Sequence, residues 1–206
     1  MTNAQQLEFL QNLPLIAVVR AADPAAAIAR AQVYIQAGFT CLEVAWTTPD
    51  AAGVLQQLRQ DSPHCTIGAA SLKTPAMAEE AIAAGAQFLV TPHTAIEVVP
   101  LAQEANCPLI LGALTPSEIL RAWQAGAVAV KVFPIMAVGG ASYLRAVRPL
   151  FTEIPLIPCG GIDWKDVVPL WKAGAIALGM GSQLGTDVVQ LKQQVAQARQ
   201  AYRGQG

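Results

Sequence analysis

Short apolar runs alternate with alanine-rich stretches of helical spacing along this chain. The apolar runs are rich in Val, Ile and Leu, which is typical of strands that are covered on both faces. They predict eight strands, at residues 15–20, 40–46, 66–70, 88–91, 109–113, 127–133, 156–159 and 175–179. The intervening segments 24–37, 76–84, 116–124 and 142–150 have helical spacing and begin near Asp, Thr, Ser or Pro residues, which suit helix starts.

A recurring Ala-Gly dipeptide closes several helical stretches and opens the next apolar run. It is followed by Phe or Ala at 37–39, 84–86, 125–127 and 173–175. Glycine adopts the left-handed conformation just past a helix end without steric cost, so the repeat predicts a helix end followed by a strand. Strands that alternate with helices in this way form a parallel sheet.

Eight strand–helix units in 206 residues close most economically into an α/β fold of the (β/α)8 TIM-barrel type. We expect residues 1–206 to form a single catalytic domain, with residues 4–12 as an extra N-terminal helix. A doubly wound open sheet is the alternative. Open nucleotide-binding sheets usually carry G-x-G-x-x-G after their first strand, whereas this chain reads V-V-R-A-A-D at 18–23, which favours the barrel.

Composition and charge exclude several classes of function. Lysine and arginine number 13 against 14 acidic residues, and a net charge of -1 provides no field that attracts nucleic acid. Every apolar run is interrupted well before the roughly 20 residues that a membrane span needs. The first residues, M-T-N-A-Q-Q, do not resemble a signal peptide, so a cytoplasmic location is expected.

The cysteines and histidines do not predict a metal site. The four cysteines stand singly, with no C-x-x-C pair, and the chain has two histidines. Zinc and redox sites need clusters of these residues, so we expect reduced thiols and metal-independent chemistry.

Lys131 stands in the apolar run 127–133, where no residue nearby in sequence neutralises its charge. Burial of an ammonium lowers its pKa, and the neutral amine is the form that attacks a carbonyl carbon to make a Schiff base. The alternative is a lysine whose head reaches solvent beyond a strand end. The residues at the other strand ends separate these interpretations.

Polar residues and glycines lie at or near the ends of the other predicted strands, which share one face of a barrel. They are Arg20, Glu43, Ser71, Pro92 with His93, Gly160 with Gly161, and Gly181 with Ser182. An inward Glu43 would lose water, which favours its protonated form and suits proton transfer. Together with Lys131 it favours catalysis over a buried ion pair that only fills the barrel.

Two glycine-containing segments follow the last two predicted strands, P-C-G-G-I at 158–162 and G-M-G-S at 179–182. Backbone N–H groups without side chains can close around an anion, and many barrels bind phosphate between these two loops. The segments therefore predict a phosphate site, with ordinary glycine turns as the alternative.

Five motifs together resemble the 2-keto-3-deoxy-6-phosphogluconate (KDPG)/4-hydroxy-2-oxoglutarate (KHG) aldolase family. They are L-E-V at 42–44, G-A-A-S at 68–71, P-H at 92–93, K-V-F-P at 131–134 and P-C-G-G-I at 158–162. The resemblance spans nearly the whole chain, and its most specific parts are the K-x-F-P strand and the P-x-G-G loop.

The resemblance implies a class I pyruvate aldolase in which Lys131 forms an imine with a 2-oxo acid and Glu43 moves protons. It implies no cofactor, pyruvate and a phosphorylated 2-oxo sugar acid as small-molecule partners, and a homotrimer. The substrate-binding positions that it implies are Arg20, Thr47, Ser71, Pro92, Phe133, Cys159, Gly160, Gly161, Gly181 and Ser182.

The chain departs from the family pattern at several of these positions. Many members carry an arginine shortly after the strand-two glutamate, where this chain has Trp46, Thr47 and Thr48, so Arg20 is expected to supply the charge. The family's G-A-G-T and P-T-G-G are replaced by sequences containing Ala70 and Cys159. These changes leave the catalytic groups in place and bear on which oxo acid fits.

KDPG cleavage to pyruvate and glyceraldehyde 3-phosphate is the function that the resemblance favours. KHG cleavage or oxaloacetate decarboxylation through the same imine is one alternative. A phosphosugar-binding barrel without catalysis is another.

Overall fold

A computed structural model of the chain describes residues 3–11 and 13–204, within which eight strands form one parallel sheet. The strands are β1 Leu15–Val19, β2 Cys41–Ala45, β3 Thr66–Ala70, β4 Leu89–Val90, β5 Leu109–Ala113, β6 Ala129–Val132, β7 Leu156–Pro158 and β8 Leu178–Met180. Their order is β7-β6-β5-β4-β3-β2-β1-β8. A parallel bridge between Cys159 and Gly179 joins the two ends of this order, so the sheet closes into a barrel.

Helices follow the strands and cover the outside of the barrel, except for the first helix, which precedes the first strand. They are α1 Asn3–Gln6, α2 Pro24–Ala37, α3 Ala51–Asp61, α4 Pro75–Ala83, α5 Val99–Glu104, α6 Pro116–Gln124, α7 Ala141–Val147, α8 Trp164–Lys172 and α9 Val188–Arg203. Short 3₁₀ turns lie at Glu8–Leu10, Ile96–Val98, Ile135–Val138 and Arg148–Leu150. The predicted barrel is therefore confirmed, and the open-sheet alternative is wrong.

Strand alternation decides which residues reach the barrel interior. On β6, Val130 and Val132 belong to the large core between the sheet and the helices, whereas Ala129 belongs to the small core inside the barrel. Lys131 lies two residues beyond Ala129 and therefore faces the same interior. The same alternation on β2 places Cys41 in the interior core and Glu43 one layer above it.

The N-terminal segment closes the barrel end opposite the site. Leu10 is buried in the interior core, and the Phe9 ring stacks on Phe88 with their centroids 5.0 Å apart. The predicted continuous helix over 4–12 is wrong in detail, because α1 ends at Gln6 and a 3₁₀ turn follows. Asn12, the end of that prediction, lies outside the described residues, as do Met1 and Thr2.

Several other boundaries differ from the sequence prediction by one or two residues, and two differ in a more informative way. Strand β8 begins at Leu178 rather than 175, because the main chain at Ile176 is still in the loop that leads to it, although its N–H already donates to the Leu156 carbonyl oxygen. The helix predicted over 142–150 is α7 followed by the 3₁₀ turn Arg148–Leu150. Among the described residues, no helix is long and apolar enough to cross a membrane.

Candidate active site

Lys131 and Glu43 form a buried ion pair inside the barrel. Lys131 Nζ donates to Glu43 Oε1 over 3.1 Å, and the two residues are 8% and 2% exposed. The lysine comes from β6 and the glutamate from β2, so strands on different sides of the barrel bring them together. The sequence interpretation in which the lysine head extends into solvent is therefore wrong.

The pKa of Lys131 is raised, contrary to the sequence prediction of a lowered one. Burial removes water from the ammonium and lowers its pKa, but the neighbouring Cys159 sulfur and Glu43 carboxylate together favour the charged form by more. Burial also raises the pKa of Cys159, so at pH 7 this thiol is protonated and its sulfur offers the ammonium only a partial negative charge, whereas Glu43 carries a full one. Glu43 is thus the group that holds the proton on Lys131.

Cys159 lies beside the lysine, lines the same cavity, and interacts through its sulfur with the ammonium. It packs against Gly179 of β8, since a Cβ at that glycine would lie 2.8 Å from Cys159 Sγ. The absent side chain at Gly179 therefore makes room for the sulfur at the place where the barrel closes.

A cavity of about 380 Å³ opens above the ion pair at the carboxyl ends of the strands. Its volume suits a small organic acid, because ligand pockets start at roughly 300 Å³. The cavity is lined by Val18, Arg20, Arg30, Glu43, Ser71, Pro92, Lys131, Phe133, Cys159, Gly160, Gly161, Gly179, Gly181 and Ser182. Eleven of the twelve predicted site residues are in this set, with Thr47 outside it.

The glycine loops form one side of the cavity. Gly160 has a φ of 99°, and a Cβ there would lie 2.9 Å from the Phe133 ring. The Phe133 ring itself lies 5.8 Å from Lys131 Nζ, measured to the ring centroid. Within the described part of the chain, the N–H groups of Gly161 and Ser182 donate to no protein acceptor. They are therefore free to donate to an anion.

Arg20 and Ser71 form the opposite side. The Arg20 guanidinium donates through Nη2 to Ser71 Oγ over 3.2 Å. Ser71 has a φ of 62°, the left-handed region that non-glycine residues seldom adopt. This main-chain conformation occurs directly after β3 and places the hydroxyl beside the cavity.

Two residues separate the structure from the sequence prediction. Thr47 is exposed and does not line the cavity, whereas its neighbour Thr48 is buried and accepts a hydrogen bond from the Ala21 N–H. Arg30 lines the cavity and was not predicted. Its position on helix α2 gives no sequence signal, since an arginine there has the pattern of an ordinary exposed helix residue.

Within residues 3–11 and 13–204, no group of three or more His, Cys, Asp or Glu side chains is placed to hold a metal ion. The chemistry that the described side chains offer is an amine, a carboxylate, a thiol, two guanidiniums and free backbone N–H groups. An amine with a carboxylate at 3.1 Å can exchange a proton and attack a carbonyl carbon.

Fold and site together define a (β/α)8-barrel enzyme that holds an amine and a carboxylate in contact at the carboxyl ends of its strands. The family model described as KDPG and KHG aldolase matches residues 7–200. The chain therefore belongs to the KDPG and KHG aldolase family, whose members are carbon–carbon lyases.

Individual relatives carry two different substrate names. The chain is 33% identical over 163 residues to the 2-dehydro-3-deoxy-phosphogluconate aldolase of Treponema pallidum, covering 79% of this chain and 76% of that one. It is 30% identical to the 2-dehydro-3-deoxy-6-phosphogalactonate aldolase of Escherichia coli K12, covering 96% and 98%. The membership is thus clear, and the substrate differs among relatives.

A solved structure of the Legionella pneumophila KDPG aldolase has the same fold. It superimposes with a TM-score of 0.80 at 26% identity and covers 96% of this chain and 98% of its own. In that structure pyruvate is captured as a covalent carbinolamine intermediate.

Proposed function

We propose that this protein is a class I aldolase that cleaves KDPG to pyruvate and glyceraldehyde 3-phosphate through an imine on Lys131. The observation that carries the proposal is the buried contact of 3.1 Å between Lys131 Nζ and Glu43 Oε1. Such a pair provides both a nucleophile and the group that exchanges protons with it. The carbinolamine captured in the Legionella relative supports amine attack on pyruvate in this family.

Imine formation begins with proton transfer from Lys131 to Glu43. The transfer turns an ion pair into two neutral groups, and exclusion of water by the incoming substrate favours the neutral form. The amine lone pair then attacks C2 of the oxo acid, and the Glu43 carboxyl gives its proton to the former carbonyl oxygen. Glu43 next takes a proton from nitrogen and returns it to the hydroxyl, which leaves as water.

Cleavage uses the cationic imine as an electron sink. Removal of the proton from the C4 hydroxyl turns that oxygen into the aldehyde carbonyl, and the C3–C4 bonding electrons move toward nitrogen to give an enamine. Glu43 accepts that proton and returns one to C3. Hydrolysis of the resulting pyruvyl imine then releases pyruvate and restores Lys131.

The cavity offers a separate contact for each end of the substrate. Arg20 and Ser71 suit the carboxylate beside the imine carbon, since charged donors bind carboxylates more strongly than neutral ones. The backbone N–H groups at Gly161 and Ser182 suit the phosphate at the other end.

The remaining lining residues limit the width of the cavity. Gly160 and Gly181 keep the phosphate loops free of side chains, while Phe133, Pro92 and Cys159 form the wall around the reacting carbons.

The proposal includes several properties that follow from family membership. The protein works without a metal or organic cofactor, its partners are pyruvate and the phosphorylated sugar acid, and it assembles as a homotrimer of single catalytic domains. Light scattering against a monomer mass of 21.6 kDa tests the assembly.

A second candidate substrate is 2-keto-3-deoxy-6-phosphogalactonate, the C4 epimer of KDPG. The observation that favours it is the E. coli relative, which aligns over nearly the whole of both chains and acts on that epimer by name. The two substrates share both anionic ends and the imine chemistry, so the orientation of one hydroxyl separates them.

Pyruvate release measured with four substrates tests the proposal. We expect kcat/KM for KDPG or its epimer to exceed that for KHG and oxaloacetate by at least about tenfold, the effect of one charged hydrogen bond. A preference for KHG or oxaloacetate would contradict the assigned substrate without contradicting the imine mechanism. Binding of the phosphorylated acids without any pyruvate release would identify a barrel without catalysis.

A further inference from the structure

Arg30 reaches the cavity from outside the barrel sheet. Helix α2 begins just after β1, at the end of the barrel where the site lies, and side chains on a helix lean toward its N-terminus. The long Arg30 side chain therefore extends back toward the cavity, where its Nη1 donates to the Arg20 carbonyl oxygen. This contact fixes the half-buried guanidinium at the mouth of the site.

No carboxylate of the described residues forms an ion pair with Arg30 or Arg20. In the described part of the chain the carboxylate ion pair is that of Glu43 with Lys131, and neither arginine takes part in one. Asp23, which precedes α2, accepts the Ala26 N–H as a helix cap. Two cationic groups without a protein counter-charge thus lie at one cavity, where they attract an anion.

Most of the hydrogen-bonding capacity of Arg30 is unused. A guanidinium carries five N–H donors, and the structure gives Arg30 one protein acceptor, the Arg20 carbonyl oxygen. A residue that only held the β1–α2 loop in place would need no charge for that contact. The unused donors and the charge are the features that an anionic ligand would engage.

Arg30 lines the same cavity as the glycine loops. The sequence β7-β8-β1 around the barrel brings Gly160 and Gly161, then Gly181 and Ser182, then the end of β1 to neighbouring positions on the rim. Arg20 turns away from these loops toward Ser71 at the end of β3, whereas Arg30 comes from the helix that follows β1. The rim from β7 to α2 therefore combines free N–H groups with a cation.

We infer that Arg30 is a specificity residue that binds the terminal phosphate of the substrate and makes the enzyme select phosphorylated over unphosphorylated sugar acids. This inference rests on the proposed aldolase function. Among the described residues, Arg30 hydrogen-bonds to the Arg20 carbonyl oxygen and not to Lys131 or Glu43, so its contribution is to substrate binding and not to the imine chemistry.

The test compares Arg30→Gln and Arg30→Lys with the wild type on KDPG, on its epimer and on unphosphorylated 2-keto-3-deoxygluconate. Arg121→Gln is the matched control, since Arg121 is exposed on α6 and does not line the cavity. For Arg30→Gln we expect KM for the phosphorylated substrate to rise about 10- to 100-fold with kcat within about threefold, the loss of one charged hydrogen-bonding partner. KM for 2-keto-3-deoxygluconate should stay unchanged. The KM of Arg30→Lys for the phosphorylated substrate should lie between the values of the wild type and of Arg30→Gln.

An equal rise of KM for both kinds of substrate would overturn the inference, because it would indicate a general disturbance of the site. So would unchanged KM values in Arg30→Gln. Borohydride trapping of pyruvate on Lys131 checks that each variant is correctly folded, since this reaction does not involve the phosphate.

The inference can fail separately from the proposed function. If the wild type released no pyruvate from any substrate, inorganic phosphate titrated by calorimetry would still test the anion site. An affinity for phosphate at least about tenfold weaker in Arg30→Gln than in Arg121→Gln would support phosphate binding by Arg30. Equal affinities in the two variants would overturn it.

Discussion

Replacement of Glu43 by Gln should destabilise the protein by an amount that shrinks as the pH rises. The substitution keeps the side-chain shape and removes the counter-charge of Lys131, which is 8% exposed. Burial then acts on the ammonium without an opposing carboxylate, so the pKa of Lys131 should change from raised to lowered. The variant can escape an unpaired buried charge by folding with a neutral lysine.

The size of the effect follows from the proton that must leave. Removing this proton at pH 7 from a lysine whose pKa has the ordinary value of 10.5 costs about 5 kcal/mol, because each pH unit below the pKa costs about 1.4 kcal/mol. The corresponding cost at pH 9 is about 2 kcal/mol. These values are upper limits, because the amide oxygen of the new glutamine still accepts a hydrogen bond from the ammonium.

The stability of the wild type depends on Lys131 in a different way between pH 7 and 9. A lysine with a raised pKa in the folded state contributes stability that is present below pH 10.5 and is lost as the pH rises through the folded-state value. The Lys131 contribution to wild-type stability is therefore constant from pH 7 to 9. The free energy difference between wild type and variant should narrow by up to about 3 kcal/mol over this range.

Urea unfolding followed by circular dichroism at pH 7, 8 and 9, with a thiol reductant present, measures this difference. Glu104→Gln is the matched control, because Glu104 is exposed on α5 and should change stability by less than about 0.5 kcal/mol at every pH. A Glu43→Gln difference that was the same at pH 7 and pH 9 would refute the coupling between Glu43 and Lys131.

Three further predictions concern other parts of the molecule. Gly160→Ala combines a strained φ with a Cβ 2.9 Å from the Phe133 ring. Urea unfolding should therefore show a free energy of unfolding that is about 1 to 3 kcal/mol lower, and kinetic assays should show a higher KM for phosphorylated substrates. Wild-type values for both quantities would contradict the assignment of this loop to phosphate binding. Gly112→Ala would bring its Cβ to 2.4 Å from the main chain after β4, and its unfolding free energy should fall by at least about 1 to 3 kcal/mol; a loss below about 0.5 kcal/mol would count against this close approach. Burial raises the pKa of Cys107 to about 11 and that of Cys41 well above its usual range. Peptide mass mapping should therefore show that iodoacetamide alkylates Cys107 about 100-fold more slowly at pH 8 than an ordinary thiol, and Cys41 more slowly than Cys107. Faster alkylation of Cys41 than of Cys107 would contradict the burial of Cys41.

The barrel could be predicted from sequence because its signal is local and repeated. Apolar runs separated by helical segments located all eight strands of the described chain, and the helix predictions at 24–37 and 116–124 match α2 and α6. Boundaries failed where local pattern gives no direction, as at β8, where apolar residues from 175 onward resemble a strand but the main chain reaches the sheet at Leu178.

Residues of the candidate site could be predicted from sequence where their position depends on the strand to which they belong. Lys131 and Glu43 lie on strands whose alternation turns both side chains inward, and the pattern of their neighbours already indicated this. The pKa of Lys131 was predicted in the wrong direction because burial is a local inference, whereas its partner is 88 residues away in sequence. Arg30 was missed for the same reason, since its position at the cavity depends on how α2 packs against the barrel.

Borohydride reduction in the presence of pyruvate tests the central claim most directly. We predict that mass spectrometry of the digested protein will find one reduced pyruvyl group on Lys131 of the wild type and none on any lysine of Lys131→Met, with Lys172→Met labelled like the wild type. A protein that stayed unmodified, or that carried the pyruvyl group on another lysine, would contradict the claim that Lys131 is the Schiff-base nucleophile.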